Sequence, residues 1–502
     1  MKKHILLSLG ITTFTVIGGS SALAPVLRFP ATTTPGTSGV LVNYGLGNID
    51  SELPPWSTNE IIVKFSKDIA PNYRSTVVQQ YGCSIIGSCI SGDFHLVKIP
   101  EAETLEEMID SFQENEAVEY AEFNYYARIS FVPDDTFYAF QWNLDNAVQG
   151  GINMEAAWDI QRGDPNVVIA VLDTGVAYED FEIFRQAPDL SDTSFVPGYD
   201  FVNDDTHAND DQGHGTHVTG TLAQSTNNGR GVAGVAFGCS IMPVKVADRT
   251  GLGTHFDIAR GIHYAVNNGA NVINMSFGGP GDSITLRDAV AFAYEQGVTI
   301  VCAVGNEFLS GNPVSYPAAY DDYCIAVGAT RYDETRAFYS NTGGYLDIMA
   351  PGGDMLVDQN GDGYGDGVLQ QTFSLEPGSF AYWFFQGTSM AAPHVSGAAA
   401  LLISNGVTSP DKVREALEKT AKDIGPAGWD EQHGWGLLNV WSALNYGLRA
   451  DLNGDTLING WDLSLFAEKW LQTAAPNLVP NLNDDDIVNF IDFAIFAKSW
   501  GK

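Results

Sequence analysis

Five short apolar runs, at residues 167–172, 241–246, 272–275, 298–303 and 324–327, recur through the middle of the chain, and helical stretches at 215–223, 254–268 and 284–296 alternate with them. A run that is apolar at every position has no face to show to water, so it needs cover on both sides. Runs of this kind alternating with helices build a mostly parallel β-sheet between two helical layers. One large α/β pattern therefore extends over about residues 134–448. In such sheets the chemistry gathers beyond the carboxyl ends of the strands, so the polar residues just past the apolar runs are the ones to examine.

Asp173 closes the first run, in Val171-Leu172-Asp173-Thr174-Gly175. Asn306 follows the fourth run across Gly305. His214 stands in Gly213-His214-Gly215-Thr216-His217, where a helical pattern begins and the dipole favours a neutral imidazole. Ser389 stands in Gly387-Thr388-Ser389-Met390-Ala391-Ala392-Pro393-His394, ahead of an apolar helical run to Leu402. Each has a plain reading: a surface acid, a turn asparagine, a helix cap. The two histidines also suggest a metal pair, but no Glu or Cys accompanies them at matching spacing. Together, however, the four supply what a lone serine hydroxyl lacks: a base, an orienting acid and an oxyanion donor. The first N–H groups of the helix at Ser389 add to the last of these.

Asp173, His214, Asn306 and Ser389, each in its own motif and in that order, resemble the subtilisin-type (subtilase, peptidase family S8) serine proteases over about residues 134–448. The resemblance implies the three-layer subtilisin-like fold. It also implies Ser389 as nucleophile, His214 as general base and then acid, and Asp173 as its orienting partner. Asn306 and the Ser389 N–H would hold the tetrahedral oxyanion. Gly251, Leu252 and Gly253 resemble the segment that pairs with an extended substrate backbone. Ser276, Phe277 and Gly278 resemble the opposite strand and, with residues 303–305 including Gly305, the walls of a pocket for a large apolar side chain. Protein or peptide substrates follow. A rival reading is a non-catalytic, calcium-dependent scaffold protein on a dead protease fold. It calls for a missing triad member, and none is missing. An α/β-hydrolase esterase fails on chain order and on the absent Gly-x-Ser-x-Gly elbow.

The flanks read differently. Residues 1–24 have the pattern of a secretory signal, with Lys2 and Lys3 before an apolar stretch and Ala22-Leu23-Ala24 at its end. An uncleaved anchor is the other reading; no later stretch is long and apolar enough to span a bilayer. Residues 25–58 are a Thr-, Pro-, Gly- and Ser-rich linker. Residues 59–129 form a small α+β unit, with strands at 61–65, 95–99 and 118–123 and helices at 71–81 and 105–115. This unit resembles the inhibitory propeptide of the same family, so the chain's own propeptide is an expected partner, released by a cut between Tyr126 and Asp135. The product is expected to be secreted or held at the cell surface. A net charge of −36 argues against nucleic acid and anionic membrane as partners and suits calcium. Five cysteines make no disulfide framework. Cys302 and Cys324 read as core thiols, while a local Cys83–Cys89 bridge stays open.

Structural Ca2+ is the expected cofactor, because closely spaced Asp and Asn supply the oxygens it takes. In residues 449–502, Asp451, Asn453, Asp455, Asn459 and Asp462 recur as Asn481, Asn483, Asp485, Asn489 and Asp492. Leu463, Phe466, Ala467 and Trp470 recur as Phe493, Phe496, Ala497 and Trp500, one apolar face at helical spacing. These paired loops resemble a small all-α dockerin type I module, which implies docking to a cohesin-like scaffold. Thr456 and Asp486 depart from the Gly of an EF-hand loop. Upstream, Asp200, Asn203, Asp205 and Asn209 resemble a calcium loop of heat-stable subtilases. Asp358-Gln359-Asn360-Gly361-Asp362-Gly363-Tyr364-Gly365-Asp366 has EF-hand-like spacing and reads equally as a calcium loop or a plain turn.

Overall fold

The computed structural model describes residues 56–446, apart from 90, 101–102, 126–130, 145–148 and 375, together with residues 463, 466, 467 and 493. Between residues 56 and 446 the chain forms two compact units that separate between Ile129 and Ser130.

The N-terminal unit runs β1 (Trp56–Phe65), α1 (Pro71–Gln80), β2 (Ser84–Cys89), β3 (Phe94–Lys98), α2 (Leu105–Gln113) and β4 (Val118–Tyr125). Its antiparallel sheet has the order β2-β3-β1-β4. Pro71 opens α1, where its missing N–H costs nothing. Thr104 caps α2 by accepting the Glu107 N–H at 3.3 Å. Val77, Val78, Met108, Ile109 and Phe112 of the helices close over Ile61, Val63, Val97 and Ala121 of the sheet. β2 is an edge strand that the sequence reading missed, because Ser-Ile-Ile-Gly-Ser-Cys is a weak strand signal. It also excludes the local disulfide. An extended strand holds the Cα atoms of Cys83 and Cys89 about 20 Å apart, far beyond bridging distance. All five cysteines are free thiols.

The larger unit contains α3 (Met154–Trp158), β5 (Val168–Asp173), β6 (Ser194–Phe195), β7 (Tyr199–Asp200), α4 (His214–Ala223), β8 (Ser240–Lys245), α5 (His255–Asn267), β9 (Val272–Met275), α6 (Ile284–Glu295), β10 (Thr299–Ala303), β11 (Cys324–Thr330), β12 (Ile348–Pro351), β13 (Val368–Phe373), β14 (Phe380–Phe385), α7 (Thr388–Ser404), α8 (Pro410–Lys419) and α9 (Val440–Leu444). The main sheet is parallel throughout, in the order β12-β11-β10-β9-β5-β8-β6, with β7 also pairing β8. Alternate side chains leave opposite faces of each strand. Ile169, Val171 and Val301 pack with Val218, Leu222, Val395 and Leu401 of α4 and α7. Ala170, Leu172 and Ile300 pack with Ile258, Ile262, Leu286 and Val290 of α5 and α6. The two covered faces are the reason the strand runs are apolar at every position.

A β13–β14 antiparallel hairpin, absent from the sequence reading, enters between β12 and α7. Beyond this unit, residues 463, 466, 467 and 493 are helical. The buried Phe466 ring lies 5.8 Å from that of Phe493 in the second repeat. The ten repeat positions expected to bind calcium, the signal segment, most of the linker and residues 126–130 lie outside the described residues.

Candidate active site

The site forms where the parallel strands end. Asp173 is the last residue of β5 and His214 the first of α4. Their approach depends on glycine. Gly213 has φ +101°, and a Cβ there would stand 2.4 Å from the Phe373 carbonyl oxygen. A Cβ on Gly215 would stand 2.1 Å from the Gly175 carbonyl oxygen. With helix and strand pressed together, the His214 Nδ1 to Asp173 Oδ1 distance is 2.7 Å. Asp173, only 2% exposed, also accepts the Thr174 N–H at 2.7 Å through Oδ1, and its Oδ2 is buried without a partner.

Burial opposes a charged His214. The charge and hydrogen bond of Asp173, with the charge of Asp210 behind them, outweigh burial and raise the His214 pKa above its ordinary value. The helix start, expected to favour the neutral form, is thus overridden by the carboxylate. Asp210 is a member of the site that the sequence reading missed. Its buried carboxylate accepts the hydroxyls of Thr174 and Thr216 and the N–H groups of Gln212, Gly213 and Thr216. It ties the end of β5 to the start of α4. The available signal was an Asp three residues before a Gly-His-Gly helix start.

His217 has a different task. It is buried, its Nε2 lies 3.1 Å from the carbonyls of Val368 and Trp383, and its ring stacks on Phe385 at 4.3 Å. Burial, only partly countered by these carbonyls, pushes its pKa down to about 3. It is a neutral clamp on the β13–β14 hairpin.

Ser389 is the second residue of α7, so its N–H has no intrahelical acceptor. Asn306, three residues past β10, accepts the Thr388 N–H at 2.9 Å and the Thr388 hydroxyl at 3.1 Å through Oδ1. Because a backbone N–H must face an oxygen, this fixes the amide and leaves the Nδ2 hydrogens for a ligand. Gly387, at φ +147°, separates the two donors. A Cβ there would stand 3.5 Å from Asn306 Nδ2 and 3.7 Å from Ser389 N. Pro393, inside α7, cannot donate to the Ser389 carbonyl four residues back. The Ser276 hydroxyl replaces that bond at 2.9 Å. In return the Ser389 hydroxyl donates to the Ser276 carbonyl at 2.7 Å, and this is its partner in the structure in place of the expected His214.

Of the other expected residues, Ser276 and Gly305 reach this point through Ser389 and Thr388. Ser276, Phe277 and Gly278 continue from β9, and a Cβ on Gly278 would stand 3.6 Å from the Ala303 carbonyl oxygen. Gly251, Leu252 and Gly253 form an exposed edge, with Leu252 65% exposed. Gly305, at φ +98°, donates its N–H to the Thr388 hydroxyl at 3.2 Å.

The oxygens expected to take calcium at residues 200–209 are largely engaged with one another. Asp200 accepts the N–H groups of Val202 and Asn203 and the Asn203 amide; Asp205 accepts the His207 N–H. Asn209 Oδ1 remains a buried oxygen without a donor. A better fit lies at two acids with no local sequence pattern. Asp189 is fully buried and Asp135 is 5% exposed. Burial first pushes their pKa values up to about 7 and about 6; the charge of Asp135 adds to the rise at Asp189, and that of Asp134 to the rise at Asp135. Asp135 Oδ1 has no partner, and Asn228 Nδ2 lies 3.2 Å from Asp189 Oδ1. Two buried carboxylates with no ion-pair partner among the described residues, one of them with an oxygen lacking any donor, suit a divalent ion, which Asp135 and Asp189 would hold. Among the described residues no three acidic, imidazole or thiol side chains already stand gathered as a metal site.

The subtilase family model matches residues 164–436, and the fervidolysin N-terminal prodomain model matches residues 55–124. A thermophilic serine proteinase from Bacillus sp. (strain AK1) is 34% identical over 403 residues, 80% of this chain and 90% of that protein. Thermitase from Thermoactinomyces vulgaris is 35% identical over 63% of this chain and 100% of its own length. A solved protease structure from Pseudoalteromonas arctica superposes with a TM-score of 0.55 at 34% identity, covering 63% of this chain and 99% of that one. The chain belongs to the subtilase family and is a serine endopeptidase.

Proposed function

We propose that peptide bonds are cut through Ser389, His214 and Asp173 by way of an acyl-enzyme. The observation that carries this reading is the 2.7 Å contact between His214 and Asp173, set beside an Asn306 amide whose oxygen is pinned and whose Nδ2 is left to donate. The Ser389 hydroxyl turns about its Cα–Cβ bond from Ser276 towards His214 and attacks the scissile carbonyl. His214 Nε2 takes the proton, and Asp173 stabilises the imidazolium. Asn306 Nδ2 and the Ser389 N–H receive the oxyanion. His214 then protonates the leaving amine, and water repeats the sequence on the acyl-enzyme. Leu252 with its flanking glycines and residues 276–278 would hold protein or peptide substrates as an added strand, with Gly305 walling the apolar pocket.

The N-terminal unit acts as an inhibitory prodomain. Phe131 donates its N–H to Asp159, and its ring packs on Trp158 and Phe237, while Asp135 accepts the Asn227 N–H. Residues from Phe131 onward thus belong to the larger unit, which favours a cut upstream of Phe131. Export by residues 1–24 and attachment by a calcium-loaded, dockerin-like C-terminus to a cohesin-like scaffold complete the reading. No helix among the described residues is long and apolar enough to cross a membrane.

The test is incubation of the purified protein with casein, with and without a serine-reactive inhibitor, and sequencing of new N-termini. Inhibitor-sensitive cleavage is expected, with a new N-terminus before Phe131. A Ser389→Ala protein should keep its prodomain; release at the normal position in that variant overturns self-processing.

A further inference from the structure

The segment from 358 to 366, between β12 and β13, carries oxygen at every second position: Asp358, Asn360, Asp362, the Tyr364 carbonyl and Asp366. Gly361 and Gly363, at φ +75° and +92°, curl it. Asp358 accepts the N–H groups of Gly361 and Gly363, Asn360 that of Asp362, and Asp362 that of Tyr364. These bonds describe a tight acidic loop and nothing more. The separate observation is Asp366. It is 1% exposed, and its Oδ2 accepts the Gln359 N–H at 2.6 Å, which turns the carboxylate into the loop. Its Oδ1 is buried and makes no hydrogen bond of good geometry. Burial raises its pKa against the N–H groups of Gln359 and Asn360, and the charges of Asp358 and Asp362 add to the rise. Arg331, which pairs with Asp333 and Asp354, forms no ion pair with the three acids, and no other lysine or arginine among the described residues does so. A buried carboxylate facing two others without a cation is unfavourable unless something positive enters.

We propose that residues 358–366 bind one calcium ion, through Asp358, Asn360, Asp362, Asp366 and the Tyr364 carbonyl, and that this ion braces the hairpin leading to Ser389. Five all-oxygen ligands in a glycine-curled loop, completed by water, match the irregular six- to eight-fold coordination of Ca2+. They do not match the strict octahedron of Mg2+. The side chains at 358, 360 and 362 swing inward to reach the ion, since the acids are not yet gathered about one point.

The loop grips the hairpin at both ends. The Tyr364 ring stacks on Phe384 of β14 at 5.5 Å and meets Phe140 at 5.6 Å. The Met355 N–H donates to the Gln386 side chain, one residue before Gly387, at 2.6 Å. The Gly367 carbonyl accepts the Trp142 indole N–H at 3.0 Å. Binding therefore stiffens the approach to the oxyanion donors without touching substrate.

The test uses full-length Ser389→Ala protein, which cannot digest itself, and hydrogen exchange far below its melting temperature in calcium, magnesium or chelator. Peptides covering 355–367 should exchange about tenfold more slowly in calcium, with no such slowing in magnesium. Adding Asp358→Asn and Asp362→Asn should abolish the slowing and remove one bound calcium per chain in equilibrium dialysis. Unchanged exchange in calcium, equal slowing by magnesium, or an unchanged ion count in the variant overturns the proposal. The exchange result on the parent stands whether or not the variant folds.

Discussion

Replacing Asp173 by Asn isolates what its charge does. Asp173 Oδ1 already accepts both His214 Nδ1 and the Thr174 N–H, while the Oδ2 position is buried and bare. An asparagine therefore keeps its oxygen toward the two donors, and the imidazole keeps its tautomer. What disappears is the attraction between carboxylate and imidazolium. With charge centres about 4 Å apart and an effective dielectric of about 20, that attraction is about 4 kcal/mol, so the plateau of kcat/KM should fall about 10³-fold. The pH profile moves as well. A general base works only when unprotonated, so activity rises with pH through the His214 pKa. Asp173 is the main group raising that pKa against burial. Without its charge, the acid limb should move to lower pH. The assay is kcat/KM on a chromogenic peptide across pH, corrected by active-site titration, with circular dichroism to confirm folding. A loss under about tenfold with an unmoved limb refutes the electrostatic role. A loss beyond about 10⁴ refutes the retained tautomer and means that the amide nitrogen has turned to His214.

Gly387→Ala places a methyl group between the two oxyanion donors; kcat should drop about a hundredfold with KM little changed, and an unaltered kcat refutes the location of the oxyanion. In chelator, thermal stability should fall as pH rises through the pKa values of about 6 and about 7 at Asp135 and Asp189. Between the unfolded and folded pKa values the native state holds more protons than the unfolded chain, so the slope is negative. Calcium should remove this trend; a flat melting profile in chelator would count against the paired acids as its site.

Much of the architecture was legible because it is written locally. β9 ends where its apolar run ends, and α4, α5 and α6 lie within a residue or two of their periodic patterns. β13 was not legible. Gln370 and Gln371 look like surface residues, yet both are buried, with partners at Ala233 and at the Asp189 N–H far away in sequence. The same limit hid Asp135 and Asp189, and it misjudged His214, whose local helix start matters less than a carboxylate 41 residues earlier.

Sequence by itself determined that the strands must be covered on both faces, and that an acid, an imidazole, an amide and a hydroxyl stand at strand or helix ends. Each follows from neighbours within a few residues. Only the tertiary structure decided that β5 lies between β8 and β9, that Asn306 is pinned by Thr388, and that Ser276 replaces the hydrogen bond Pro393 cannot make. Those pairs are 82 and 113 residues apart in the chain. Their meeting depends on strand order, and strand order is set by how the whole core packs.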